Sequence, residues 1–229
     1  MSADDGRSRD LRARRRGARE PLLNAPWTIV VLCVGLIVLY GVQSLVRLDV
    51  EKSPLALSPP AVSAGRWTTL FTSLFLHGSW AHVLLNSVAA LAYGPPVARL
   101  FGARARGALV FAAFYLVCGA TAGLGYVALN PHDSTPLVGA SGAISGLLGA
   151  ASRLIQGHGR ICPILGSTVI WMAVAWTVIN WILGRFGLTP GAGHMQVAWQ
   201  AHIVGYAAGV VLVGAFARLS GAGQEAFTH

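Results

Sequence analysis

Six apolar runs separated by short polar loops constrain this chain more than any other feature of its sequence. They cover residues 26–46, 80–100, 108–129, 139–154, 164–183 and 197–219. A helix of about 20 residues crosses a hydrocarbon core, so the fourth run is short and the others have the right length. Because lipid offers the backbone no hydrogen-bond partners, each run is expected to be helical. We therefore predict an all-α fold, a polytopic membrane protein with a bundle of six transmembrane helices.

The basic residues indicate how the chain is oriented. The net charge is +9, but seven arginines lie within the first nineteen residues and most others flank the apolar runs. With the N-terminus inside, 13 of the 17 basic residues lie on the inner side, as the positive-inside rule requires. We predict cytoplasmic N- and C-termini, a lipid partner for the basic tail, and no nucleic-acid partner.

These features divide the chain into three parts. Residues 1–25 are predicted to be an Arg-rich, disordered cytoplasmic tail, because they are polar and highly charged. Residues 26–219 form the membrane domain, and residues 220–229 form a short cytoplasmic tail.

Acidic residues are absent from all six runs. The eight in the chain are Asp4, Asp5, Asp10, Glu20, Asp49, Glu51, Asp133 and Glu225. An intramembrane aspartyl protease is thereby excluded, and a channel or coupled carrier is left without an intramembrane charge. Since there is no His-Glu-x-x-His motif, no metal or other cofactor is expected. Cys33, Cys118 and Cys162 have no metal-like spacing and are interpreted as packing residues.

The fourth run is apolar, yet almost every second residue is Gly, Ala or Ser. Small residues recur every four positions in two stripes, Ser141–Ser145–Gly149 and Gly142–Gly146–Ala150. This spacing allows close packing of helices in lipid. The helix is expected to begin within a residue or two of Ser141, where free N–H groups favour an oxyanion. Taken alone, the stretch is better interpreted as a packed helix with a capping serine; the histidines reverse that preference.

Two histidines, His82 and His202, fall within apolar runs, where a functional role is the default hypothesis. His77 lies at the mouth of the second run. Asn86 follows His82 by one helical turn and projects from the same face. We predict that His82 and Asn86 donate hydrogen bonds to an oxyanion, together with the backbone N–H of Ser141.

Depth in the membrane pairs Ser141 with His202. Arg153 follows Ser141 by 12 residues and Arg218 follows His202 by 16, so the two side chains lie roughly 18 and 24 Å from the inner boundary. A serine and an imidazole at similar depth form a nucleophile and its general base. With no buried acid to orient the imidazole, we predict a dyad rather than a triad.

Glycines give the fourth and sixth helices surfaces that can pack together. We expect the Gly205 and Gly209 stripe to face Ser145 and Gly149. The candidate helix-packing residues are Gly139, Gly142, Gly205 and Gly209.

Three motifs together resemble the rhomboid family of intramembrane serine proteases. The segments are FLHGSWAHVLLN at 75–86, GASG at 139–142 and WQAHIVG at 199–205, the last followed by Gly209. They fall on the second, fourth and sixth runs, in the order that the family has, and the resemblance covers residues 26–219.

The resemblance implies a rhomboid-like bundle of six helices and assigns roles to particular residues. Ser141 is the implied nucleophile, His202 the general base, and His82 and Asn86 the oxyanion-hole donors. The implied substrates are transmembrane segments of other membrane proteins, cut near small residues, with the active site open to the outer side. The fifth span and the loop before the sixth would form a lateral gate and cap.

Three positions depart from the pattern of many members. Ala98 replaces a glutamate, Thr68 replaces an arginine, and Ser145 replaces an aromatic ring that would stack on the histidine. The last departure leaves His202 without a flat support. Because the family places a ring at this position, we expect room for one: Ser145→Phe or Ser145→Tyr should be tolerated and leave activity equal or raised. The alternative function is an inactive rhomboid-like protein that binds transmembrane helices without cutting them.

Overall fold

The apolar runs are helical in a computed structural model, which describes residues 25–157, 159–187 and 198–221. Within these residues the secondary structure is helical, with no named strand. The helices are α1 (Trp27–Leu45), α2 (Pro59–Ser63), α3 (Thr69–Thr72), α4 (Trp80–Phe101), α5 (Ala105–Leu129), α6 (Ser141–Gln156), α7 (Ser167–Phe186) and α8 (Trp199–Ser220). The predicted tails 1–25 and 220–229, and the predicted cap before α8, lie almost entirely outside the described residues.

Four helices are long and apolar enough to cross a membrane, namely α1, α5, α7 and α8. A fifth candidate is α4 taken with α3 and the 3₁₀ turn Ser73–Phe75, two parts that are bent by 98°. Helix α6 has only 16 residues. The described chain is therefore an all-helical bundle with four to five candidate spans, and the predicted count of six is not confirmed.

Helix α4 continues through Pro95 and Pro96 and ends at Phe101. Proline can kink or end a helix, so these two residues predict either a kink or an end of the regular helix; the prediction of an end is wrong. A proline removes one backbone donor, but packing against neighbouring helices can hold such a segment helical in a membrane. Here Gly94 and Val97 are buried, and a Cβ on Gly94 would lie 2.6 Å from Cδ1 of Ile29 in α1.

Helix α6 lies at the centre of the bundle. It contacts α4, α5, α7 and α8, and every residue from 142 to 154 is buried. Since small residues occupy most of its surface, neighbouring backbones can approach it closely on several sides.

The closest approach is between α6 and α8. A Cβ on Gly205 would overlap the carbonyl oxygen of Gly142, and a Cβ on Gly209 would overlap that of Gly146. The α6 residues that meet these two glycines are thus Gly142 and Gly146. Gly149 of the predicted stripe also packs against α8, but at the carbonyl oxygen of Tyr206 rather than at a glycine. The two stripes are one residue apart on the helix and both consist of small residues. Composition alone therefore does not show which of them meets Gly205 and Gly209.

Arg153 belongs to the last turn of α6 and is only 8% exposed. Its guanidinium donates hydrogen bonds to the carbonyl oxygens of Cys162 and Val210, at 2.5 and 2.9 Å. The sequence places this arginine in a loop at the inner boundary, whereas the structure uses it to join α6 to the following loop and to α8. Arg153 is therefore not a free residue that marks the inner membrane boundary, and the depth of Ser141 counted from it has no fixed reference point.

The segment between α1 and α4 is folded onto the bundle. The amide of Gln43 in α1 donates to the carbonyl oxygen of Phe75 at 2.8 Å and accepts from the backbone N–H of His77 at 3.1 Å. Ser79 then caps α4 by accepting from the N–H of His82 at 3.1 Å. These contacts fix the start of α4, which carries His82 and Asn86.

Candidate active site

Ser141 is the first residue of α6, as the sequence predicts. It follows Gly139, whose φ of +118° is rarely adopted by residues with a side chain. The N–H of Gly139 donates to the carbonyl oxygen of Ser73 at 2.9 Å, and Leu57 and Leu137 exchange backbone hydrogen bonds just before it. The turn that presents Ser141 is therefore held by backbone contacts with the segment between α1 and α4.

His202, in the first turn of α8, faces Ser141 directly. Its Nε2 lies 2.7 Å from the Oγ of Ser141. The glycine contacts between α6 and α8 begin next to this pair, at Gly142 and Gly205, so the imidazole reaches the hydroxyl across the closest helix pair in the bundle. The structure thus brings together the two residues that the sequence pairs by depth.

A third polar side chain completes this arrangement, and the sequence analysis missed it. Asn180 of α7 is only 2% exposed, and its Oδ1 lies 2.5 Å from Nδ1 of His202. Its Nδ2 donates to the carbonyl oxygen of Trp176 at 2.9 Å. A search for buried acids passes over an amide, although an asparagine within an apolar span was a visible signal.

The contacts of Asn180 define the tautomer of His202. A carbonyl oxygen can only accept, so the amide nitrogen of Asn180 must face Trp176 and its oxygen must face the imidazole. Nδ1 of His202 therefore carries the proton and donates it. Nε2 is then unprotonated and accepts from the hydroxyl of Ser141, which is the arrangement that a general base needs.

His82 and Asn86 of α4 lie on the other side of the Gly139 turn. A Cβ on Gly139 would lie 2.7 Å from Nε2 of His82 and 3.7 Å from Nδ2 of Asn86. Any side chain at position 139 would therefore fill the space into which these nitrogens point. Gly139 lies outside the helices, so it does not have the helix-packing role predicted for it and instead borders the candidate site. The other three predicted packing residues, Gly142, Gly205 and Gly209, lie at the contact between α6 and α8.

Both nitrogens that face Gly139 are hydrogen-bond donors. Nδ1 of His82 accepts from the N–H of Gly78 at 3.5 Å, so its proton resides on Nε2. Nδ2 of Asn86 is buried and has no hydrogen-bond partner among the described residues. An orphaned buried donor is costly in a folded protein, so Nδ2 of Asn86 is available to a ligand that binds beside Gly139.

His77 does not lie at an open mouth of the second span. It is 1% exposed, its ring lies 5.0 Å from the ring of His82, and neither ring nitrogen has a partner in the described part of the chain. Its ring also lies 6.4 Å from that of Tyr40, so its ring contacts are with α1 and α4.

A cavity of about 20 Å³ opens beside Ser141. Leu57, Gly119 and Gly123 contribute to its wall. The volume suffices for one water-sized group, and any large side chain would have to displace the wall.

An all-helical bundle with apolar candidate spans, a partly buried Ser–His pair and an unpartnered buried donor beside it defines a class of protein, which the comparisons with known proteins specify further. The model of the family described as "Rhomboid domain" matches residues 64–219. Since this is well over half of the chain, the protein belongs to the rhomboid family, and the apolar helices make it an integral membrane protein.

Three relatives carry related names. "Putative rhomboid protease YdcA" of Bacillus subtilis (strain 168) is 31% identical over 57% of this chain and 66% of its own length. "Rhomboid protease GluP" of the same organism and "RHOMBOID-like protein 9, chloroplastic" of Arabidopsis thaliana are each 35% identical over 39% of this chain. The match spans 16% of the former and 19% of the latter, so the chain covers less than two thirds of each relative.

Proposed function

We propose that this protein is an intramembrane serine endopeptidase that cleaves transmembrane segments of other membrane proteins. The observation that carries the proposal is the 2.7 Å contact between Nε2 of His202 and Oγ of Ser141 at the start of a buried helix. Membership of the rhomboid family supports it, as do two relatives named as proteases.

The proposed reaction begins with attack by Oγ of Ser141 on the scissile carbonyl carbon. The hydroxyl proton passes to Nε2 of His202, which the Nδ1–H tautomer leaves free to accept it. The negative charge that develops on the carbonyl oxygen accepts hydrogen bonds from Nε2–H of His82, Nδ2–H of Asn86 and the N–H of Ser141. His202 then returns its proton to the leaving amine, and water hydrolyses the acyl-enzyme by the same steps in reverse.

The membrane arrangement belongs to the proposal. Six spans with both termini cytoplasmic put Ser141 near the outer side, where water can reach the acyl-enzyme. Helix α7 is the least buried of the four apolar helices, which supports a role as the lateral gate through which a substrate helix enters. The small cavity beside Ser141 favours a small side chain at the scissile carbonyl.

Reconstitution with a single-span reporter tests the proposal. The reporter helix carries Ala, Gly and Ser near its outer end, and a matched reporter carries Leu and Phe there. We expect the wild type to cut the first reporter after a small residue and to spare the second, while Ser141→Ala cuts neither. If the wild type binds both reporters as Ser141→Ala does and cuts neither, the protein is an inactive binder of transmembrane helices.

A further inference from the structure

The carboxamide of Asn180 bridges two helices at the candidate active site. It is held by its own helix through the carbonyl oxygen of Trp176, and it accepts from His202 of α8. Burying a polar amide in a membrane bundle is unfavourable unless its groups are paired, and both ends of this one are paired. Its position is therefore specified from two sides.

Helix α7 meets His202 with a second side chain. The ring of Trp176, one turn before Asn180, lies 6.3 Å from the imidazole at an interplanar angle of 37°. Ser145 has no ring to offer as a flat surface, and its Oγ donates to the carbonyl oxygen of Ser141 at 2.8 Å. In this chain, contacts that orient the imidazole therefore come from α7 as well as from α6.

We propose that Asn180 is a positioning residue that fixes the tautomer and orientation of the His202 imidazole, so that the reacting unit is Ser141–His202–Asn180. This inference rests on the proposed protease function and corrects the dyad predicted from the sequence. The amide oxygen holds the proton on Nδ1 and leaves Nε2 free for the Ser141 hydroxyl. An amide can do this without placing a negative charge in the membrane, where an acid is costly.

Substitutions at Asn180 separate this role from simple packing. Asn180→Leu keeps the approximate size and removes the acceptor, whereas Asn180→Asp keeps an oxygen and, when protonated, also a donor for Trp176. We expect Asn180→Leu to lower kcat for the reporter by about 10- to 100-fold with little change in KM, since orientation of a general base acts on the chemical step. Asn180→Asp should recover most of this loss.

The matched control is Tyr206→Phe. The hydroxyl of Tyr206 in α8 donates to the carbonyl oxygen of Val169 in α7 at 2.9 Å, so its removal weakens the same helix pair without touching His202. We expect its kcat to stay at the wild-type value. If Tyr206→Phe lowers kcat as much as Asn180→Leu, attachment of α7 accounts for the effect and the proposal is wrong.

A spectroscopic readout does not depend on turnover. In ¹⁵N-histidine-labelled protein, the signal that disappears in His202→Gln identifies His202. We expect a proton on Nδ1 in the wild type and in Asn180→Asp, and a shift towards the Nε2–H tautomer in Asn180→Leu. Unchanged nitrogen shifts and kcat in Asn180→Leu, with an active wild type, would overturn this inference alone; an inactive wild type would overturn the protease function with it.

Discussion

The hydroxyl of Ser145 donates a 2.8 Å hydrogen bond to the backbone carbonyl oxygen of Ser141, one turn earlier in α6. Ser145 is only 1% exposed, so the space around it is already filled. The contact anchors a side chain directly below the proposed nucleophile, at a position where many family members carry an aromatic ring.

This burial changes the expectation for a ring at position 145. We now predict that Ser145→Tyr lowers the stability of the bundle by about 1–3 kcal/mol, because the added ring must displace packed neighbours. Activity should not rise, since Asn180 already orients His202. Thermal unfolding and reporter turnover in one detergent test both points, with Ser145→Ala as the control that adds no volume. A Ser145→Tyr protein as stable as the wild type and more active would restore the original expectation.

The glycine contact between α6 and α8 gives a second prediction. A Cβ on Gly209 would overlap the carbonyl oxygen of Gly146, so Gly209→Ala must force the two helices apart. We expect a loss of about 1–3 kcal/mol in stability. Reporter cleavage should fall as well, because His202 moves away from Ser141.

The matched substitution is Gly35→Ala in α1, where an added Cβ meets no atom within 4 Å. It should leave the melting temperature and cleavage at their wild-type values or raise stability slightly, because alanine favours a helix. Equal behaviour of the two variants would mean that close packing of α8 on α6 does not hold the site together.

The donors on α4 give a third prediction, which concerns catalysis rather than stability. His82→Ala and Asn86→Ala should lower kcat more than they change KM, by up to about 10²–10³ each, because donors aimed at an oxyanion act in the transition state. Ser87→Ala is the control, since its hydroxyl bonds to the carbonyl oxygen of Val83 within the same helix. Unaltered turnover in both variants would leave His82 and Asn86 with a packing role only.

Asp133, in the loop before α6, gives a pH-dependent prediction. Hydrogen bonds from Thr135 and from the hydroxyl of Tyr126 hold the pKa of this carboxyl below its usual value. A group whose pKa is lowered by folding stabilises the protein above its unfolded pKa, and this contribution is lost as the pH falls through the folded value.

Asp133→Asn should therefore melt at a lower temperature than the wild type at pH 7. This difference in melting temperature should narrow as the pH falls below about 4, where the unfolded carboxyl becomes protonated, and should vanish once the folded carboxyl is protonated as well. Melting curves of both proteins at several pH values measure this difference. A difference in melting temperature that is constant across this pH range would show that the charge on Asp133 does not contribute to stability.

The sequence predicts most of this fold because lipid restricts the backbone to helices. The apolar runs locate the six long helices to within a few residues, and the prediction that α6 begins within a residue or two of Ser141 is confirmed. The prediction at Pro95 and Pro96 considers only the local effect of proline on a helix. In the folded bundle, the packing of Gly94 and Val97 keeps α4 helical through this segment.

Rotation of a helix about its axis is the quantity that the sequence leaves open. Helix α7 is apolar on nearly all sides, so its pattern does not show that Asn180 faces His202. The same ambiguity explains why the sequence pairs Ser145 and Gly149, instead of Gly142 and Gly146, with the two glycines of α8. Contacts between helices decide both cases, and these are visible only in the folded bundle.

Fluorophosphonate labelling tests the central claim, that Ser141 is a nucleophile activated by His202. The probe needs no natural substrate, because an activated serine attacks its phosphorus and displaces fluoride, and the resulting phosphonyl adduct is located by mass spectrometry. We predict one adduct, on Ser141, in the wild type and none in Ser141→Ala. His202→Ala should react far more slowly although it remains folded. An unlabelled wild-type protein, or labelling that persists in Ser141→Ala, would contradict the account.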